Sequence, residues 1–302
     1  MEGDSHMQSY KQTFLHNILL LVGISFFLGG CASKVAVDSV VDMPSKSGVS
    51  LKSVGIAKFS GDKYDVSSNA LMAKVKSGLI NQGHVQVNNN SPFTLHGEIS
   101  PSKTESQQWR EKHEGKDSTW YSYHVSVNKS LTVTYYVVSG NNTLTSGSET
   151  FNYNKEKSEE DYKKAKSKLP SDTQLANILV DQAAEYIVKQ ISPYRAQVKL
   201  NYLNGDDENL ELGIEYVKKA RLDQAFSIFD QIAQNSVSIE DQAKAIHNQG
   251  LILLMQKQHS KAYELMTKAN LIDPRNMDIL DSMKNVEDYK VLNDKHKRQI
   301  GI

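Results

Sequence analysis

Cys31 is the only cysteine of the 302-residue chain. The residues before it say what its thiol is for. Lys11 supplies positive charge, Ile18 to Phe27 an apolar run, and Gly29-Gly30 two small residues directly ahead of the cysteine. Charge, then an apolar stretch of roughly 10 residues, then small residues is the order of a secretory signal, and the stretch is too short to span a bilayer. With no second cysteine, the thiol has no disulfide to make. The exported domain must then rest on its hydrophobic core, without a thiolate-held structural zinc.

A second group of side chains carries potential chemistry. His113 and His124 flank Trp120, Tyr121 and Tyr123, with Glu111 and Glu114 close in sequence. As metal ligands the two imidazoles need a third group, which Glu111 or Glu114 would supply. A lone histidine pair is a weak zinc signal, so the expectation is no metal and a polar, aromatic-bearing loop leading into a strand. Trp109, Trp120, Tyr121 and Tyr123 are types enriched at protein interfaces, and they form the candidate partner surface. The chain contains no nucleophile elbow, phosphate-binding glycine loop, His-Glu-x-x-His motif or dinucleotide fingerprint. The expectation is a non-enzyme with no cofactor. Thirty-five basic residues balance 35 acidic ones, so no net field favours nucleic acid. Glu159-Glu160-Asp161 before Lys163, Lys164, Lys166 and Lys168 reads as a solvated helix face, with Glu159–Lys163 and Glu160–Lys164 at ion-pair spacing.

Leu28-Gly29-Gly30-Cys31 resembles the bacterial lipobox. That resemblance implies acylation of the sulfur, by palmitate or similar chains, and cleavage that makes Cys31 the mature N-terminus. Several acyl chains at about 0.8 kcal/mol per buried CH2 would hold a soluble domain on a membrane. Ala32 stands where an aspartate would resemble an inner-membrane retention signal, which implies the outer membrane, facing the periplasm. Gly3-Asp4-Ser5-His6-Met7 resembles a vector scar, so residues 1–6 are left out of the fold reading.

These groups need elements to position them. Leu51 to Phe59 reads as a strand through Val54 and Ile56. Ser67 to Gln82 reads as a helix with Leu71, Val75 and Leu79 on one face, stopped by Gly83. Val85-Gln86-Val87 and Phe93 to Ile99 read as strands. Val125 to Val138 and Thr143 to Tyr153 read as two longer strands joined by a Gly140-Asn141-Asn142 hairpin. Ser171 to Gln190 is an amphipathic helix ended by Pro193. Arg195 to Leu203 reads as an edge strand of the same sheet. Strand, helix, strands, helix points to a sheet with packed helices.

Val54-Gly55-Ile56-Ala57-Lys58-Phe59, the helix and strand after it, and Leu95-His96-Gly97-Glu98-Ile99 resemble the core of curli-secretion (CsgG-like) lipoproteins and LpoB-type activators of peptidoglycan synthases. Ser102 to Tyr123 departs from the pore-forming members, because it is rich in Lys, Glu and Gln and shows no alternating apolar face. Leu212, Gly213, Tyr216, Ala225 and Phe229, then Gly250, Leu253, Ala262, Met266, Ala269 and Pro274, resemble tetratricopeptide repeats. Their offset is about 37 residues, against about 34 for the repeat. Small residues let two helices approach, and large ones wedge between neighbours. Met277 to Leu292 resembles the helix that caps a short array. Glu208, Glu211, Glu215 and His247 are expected toward the concave face.

The expected class is α+β. Its parts are a signal peptide over 1–30, a lipidated tether over 31–49 with valines able to add a strand, an α/β sandwich over 50–203, an all-α TPR-like pair with a capping helix over 204–292, and a frayed basic tail over 293–302. The function expected is an adaptor or assembly factor of the cell envelope, bound to the membrane through acylated Cys31 and to an envelope protein through the repeats. The alternatives are a peptidoglycan-synthase activator and a homo-oligomeric subunit of a secretion apparatus.

Overall fold

The computed structural model describes residues 34–61 and 66–302. The expected signal segment and Cys31 lie outside them. The chain is of the α+β class. It divides into a sheet unit, Asp42–Ala196 with Val291–Ile302, and a helical unit formed by residues up to Val41 with Gln197–Lys290.

The sheet unit begins with β2 (Ser53–Ile56), α1 (Val66–Gln82) and β3 (Gln86–Val87). Gly83, at a positive φ of 74°, closes α1, a conformation that costs little without a Cβ. Then come β4 (Phe93–Pro101), β5 (Glu105–Glu114), β6 (Thr119–Ser139) and β7 (Asn142–Glu159). β2 is parallel to both β3 and β4, and the other pairings are antiparallel. The order is β3-β2-β4-β6-β5, with β7 on the other side of β6. β6 is long enough to hold β4 along its second half and β5 along its first.

The short α2 (Tyr162–Ser167) and the long α3 (Asp172–Ile191) follow. Ser171 caps α3 in a capping box with Gln174, satisfying two backbone donors reciprocally. α1 and α3 pack together on one sheet face. Their Leu71, Val75, Leu79, Leu179, Ala183 and Ile187 meet Val54, Leu95, Ile99, Val133 and Tyr135 in one buried cluster. Period-two alternation puts these strand residues on the inner face, so β6 reads as buried Val125, Val127, Leu131, Val133, Tyr135 and Val137.

The helical unit opens on β1 (Lys34–Met43), paired with β8 (Tyr194–Leu203) in a two-stranded sheet. Its helices are α4 (Glu208–Lys218), α5 (Leu222–Asn235), α6 (Ile239–Met255), α7 (His259–Ile272) and α8 (Met277–Ile300). α4 packs on α5, α5 on α6 and α6 on α7. Leu200, Tyr202, Leu210, Ile214, Phe229, Ile252 and Met266 share its main core.

Several expectations change. Most of the segment read as a tether forms β1, where Val35 and Val37 pack on the helical core. Residues 195–203 form a strand, but it pairs with β1 and not with the large sheet. The polar insert over 102–123 is a β-hairpin with a turn closed by Gly115 N to Ser118 O at 2.8 Å. Its two exposed faces lack the apolar alternation that marks a half-buried strand, which is why it reads as a loop. The basic tail is helical to Ile300 and belongs to the sheet unit. There Gln299 accepts from Ser45 N at 2.7 Å and donates to Ser45 Oγ at 2.9 Å. Glu159 ends β7 and pairs with Lys168 rather than Lys163, while Glu160 does pair with Lys164.

Candidate interaction surfaces

The outer part of the β5–β6 hairpin carries the histidines and indoles. Antiparallel register sets Trp109 opposite His124, Glu111 opposite Ser122 and His113 opposite Trp120. All six side chains therefore share one face. Trp109 stacks on His124 with ring centres 5.1 Å apart at 12°, and Trp120 on His113 at 5.4 Å and 18°. Between them the Ser122 hydroxyl bridges both imidazoles, 2.7 Å from His113 Nε2 and 3.0 Å from His124 Nε2. His124 Nδ1 lies 2.8 Å from Glu156 Oε1 on β7. Glu111 Oε2 approaches His124 Nε2 at 3.6 Å.

Hydroxyl, imidazole and carboxylate in that order are also the parts of an activated serine. Here the hydroxyl is shared between two imidazoles on a sheet face turned away from the helices. Both indoles stacked on these imidazoles stay exposed, Trp109 39% and Trp120 54%. On the reverse face Arg110 lies over the Tyr121 ring at 5.0 Å, and Tyr123 meets Tyr162 edge-on at 4.9 Å. Tyr121 is exposed and Tyr123 half-buried. Among the described residues no group of three His, Cys, Asp or Glu side chains is arranged to hold a metal ion.

The helical unit brings the repeat-pattern residues together in two matching turns. Ala220 has φ 56° and Lys257 φ 62°, and they are the described non-glycine residues in the left-handed region. After each, the chain returns through the same bond: Arg221 N to Tyr216 O at 2.9 Å, and Gln258 N to Leu253 O at 2.8 Å. Ala225 and Ala262 are fully buried one turn into the second helices, and Phe229 and Met266 are fully buried one turn further on. A Cβ on Gly213 would lie 2.4 Å from the Phe229 ring, and one on Gly250 2.9 Å from Met266 Cε. Tyr216 and Leu253 are partly buried against this core, and Ala269 is fully buried. Leu212 and Pro274 face solvent. The positive-φ residues carry no glycine signal, so the turn geometry was not readable from residue type.

His247 does not face a groove. It is fully buried, with Nδ1 3.1 Å from Asn248 Oδ1 and with Nε2 lacking a hydrogen-bond partner among the described residues. Burial pushes its pKa down to about 4, with the Asn248 hydrogen bond and the Asp278 charge opposing. Asn248 also clasps Leu203, accepting from its N at 2.9 Å and donating to its O at 2.8 Å. Glu208 and Glu211 are exposed, and Glu215 bonds Lys218 at 2.6 Å.

In the sheet unit a cavity of about 500 Å³ opens between Thr104, Lys129, Ser130, Asp172 and Ala176. Lys129 is nearly buried and reaches Asp172 at 2.6 Å. Hydrogen bonds from Lys129 and Thr104 hold the Asp172 carboxyl below the usual carboxylate range. No described helix is long and apolar enough to cross a membrane.

No family model matches the sequence, and no curated protein matches it. Solved structures do. A minor lipoprotein from Acinetobacter baumannii is 20% identical, with 49% of this chain and 100% of that chain covered, at a TM-score of 0.29. A PelC dodecamer from Paraburkholderia phytofirmans is 12% identical, over 52% of this chain and 98% of that chain, at 0.27. A Helicobacter pylori protein described as a homolog of neuraminyllactose-binding hemagglutinin is 14% identical, over 50% of this chain and 89% of that chain, at 0.29.

Proposed function

We propose that this protein is a non-enzymatic lipoprotein of the bacterial outer membrane, facing the periplasm and anchored through acyl chains on Cys31. It acts as an adaptor or assembly factor and holds an envelope protein on its TPR-like helices. The observation that carries this reading is the duplicated turn. Ala220 and Lys257, with their paired bonds to Tyr216 and Leu253, repeat one helical hairpin at the spacing seen in the sequence. Stacked helical hairpins of this kind build extended binding surfaces. Anchoring raises the effective concentration of adaptor and partner near the membrane, so modest affinity suffices. A peptidoglycan-synthase activator would differ in partner alone, and a secretion subunit in self-association.

A specific observation favours a second docking surface. The indoles of Trp109 and Trp120 are exposed and stacked on hydrogen-bonded imidazoles. Such anchors dominate binding energy where they are covered. Truncation before α4 is a poor test, since it also removes 291–302 from the sheet unit. A photo-crosslinking residue placed in intact cells at Glu208, Glu211 or Trp120 is cleaner. One partner captured from Glu208 and Glu211 supports the helical surface. Capture from Trp120 alone moves the site to the hairpin. No heterologous capture from any of the three overturns the adaptor reading. In parallel, Cys31→Ser should leave the protein unprocessed or soluble with its fold intact. A variant still processed and still membrane-bound ends the lipoprotein reading.

A further inference from the structure

β7 is an edge strand of 18 residues. Among the described residues it pairs with β6 alone, over nearly its whole length. Its outer row of backbone donors and acceptors therefore has no strand beside it. Such an edge is a template for another chain, and proteins usually blunt it with charge, proline or brevity. β7 is long and has no proline, and its charges follow a pattern.

Pairing Val133 with Glu149, Leu131 with Phe151, Lys129 with Tyr153 and Val127 with Lys155 places those four β7 residues on the helix-side face. In order the row reads acid, aromatic, aromatic, base. Phe151 and Tyr153 are half-buried, and Glu149 and Lys155 are exposed. A row of that kind is self-complementary when turned end to end.

We infer that the outer edge of β7 pairs antiparallel with the same edge of a second copy, about a two-fold axis at Asn152. In that register Glu149 faces Lys155 of the other copy, and Phe151 faces its Tyr153, each pairing occurring twice by symmetry. Asn152 faces itself, Thr150 faces Asn154, and Ser148 faces Glu156. Like charges never stand opposite. Facing opposite charges and facing aromatics both stabilise an antiparallel pair, while facing like charges oppose it. The neighbouring registers do worse. Centring on Asn154 sets Glu149 against Glu159, and centring on Glu156 sets that acid against itself and Lys155 against Lys157. Centring on Tyr153 still matches Glu149 with Lys157 but puts Phe151 against Lys155. The contact is isologous, so it closes at two copies and does not propagate. It deepens the oligomer part of the reading above, and its test does not involve the heterologous partner.

The test uses the full chain in mild detergent with Cys31→Ser, so that one introduced thiol is the sole cysteine. Facing residues of an antiparallel pair have Cα atoms roughly 4.5 to 5.5 Å apart, within reach of a disulfide. Asn152→Cys should give a disulfide-linked dimer under mild oxidation, and Tyr153→Cys far less of it. Glu149→Lys or Lys155→Glu alone should each weaken the dimer about tenfold, measured by sedimentation equilibrium or mass photometry, and the double exchange should restore it. Circular dichroism melting checks that each variant folds. A monomer at the highest concentration reached, crosslinking through Tyr153→Cys in preference to Asn152→Cys, or dimerisation indifferent to the charge exchanges overturns the proposal.

Discussion

Gly213 lies so close to Phe229 that a Cβ in its place would meet three ring atoms at 2.4, 2.7 and 3.0 Å. The matching glycine of the next hairpin, Gly250, meets a different neighbour, the Met266 methyl at 2.9 Å. A phenyl ring locked in a core cannot yield, whereas a methionine terminus can rotate away. Both glycines are inside helices, where alanine is favoured by up to about 1 kcal/mol. Gly213→Ala should therefore destabilise, by roughly 1–3 kcal/mol, while Gly250→Ala should be near neutral. Chemical denaturation of the two variants checks the ordering, and equal effects would mean that Phe229 is free to move.

His247 gives the helical unit an acid-side liability. Its folded pKa, about 4, lies below the ordinary histidine value. The unfolded chain therefore takes up the proton first as pH falls. The neutral imidazole contributes full stability above about pH 6.5, and that contribution is lost progressively toward pH 4, on the order of 3 kcal/mol in all. Denaturation at a series of pH values should show this slope, and His247→Gln should flatten it. A slope unchanged in the variant would assign it to other groups.

Gly97 sits under the Phe59 ring, where a Cβ would come within 2.1 Å of a ring carbon and 2.7 Å of Thr134 O. Phe59 is fully buried, and the chain around it is fastened by Ser60 N to Gly97 O at 3.0 Å and Ile99 N to Ser60 O at 2.8 Å. Gly97→Val should expel the ring and cost about 3 kcal/mol or more. A combined Phe59→Leu and Gly97→Ala variant should recover part of the loss. Absence of any recovery would show that backbone contact at Thr134, not the ring, sets the limit.

Lys129 is a nearly buried cation whose partner, Asp172, is mostly exposed. Removing the acid leaves the cation unpaired, while replacing the cation with an apolar chain of similar volume removes the need for the acid. Asp172→Ala should thus lower the melting temperature more than Lys129→Met. Because the Asp172 carboxyl is held below its ordinary range, its contribution is present at neutral pH and lost as pH falls through that depressed value. Melting curves of the two variants at neutral and acid pH decide the matter.

Much of the sheet unit was legible because burial writes itself into residue type. The face of α3 repeats at helical spacing and Pro193 follows it, so both ends of that helix were located to within a residue, whereas the apolar alternation of Val125 to Val137 located the C-terminal end of β6 but not its exposed start at Thr119. The spacing of small and large residues from Gly213 to Met266 likewise located the helices that pack there. The β5–β6 hairpin left no such mark. Its side chains are mostly exposed, and strand formation there depends on backbone pairing between β5 and β6, which any residue type but proline can supply.

The sequence by itself determined which residues are apolar partners, where helices start and stop, and that Cys31 stands behind a signal-like segment. Only the tertiary structure decided who meets whom. It placed the helical residues 291–300 in the sheet unit, joined β8 to β1 from distant parts of the chain, buried His247 instead of leaving it on a groove, and gathered His113, Ser122, His124 and Glu156 into one network. Periodicity encodes how much of an element is hidden. It does not encode the strand register or long-range pairing that bring side chains from distant segments within hydrogen-bond distance.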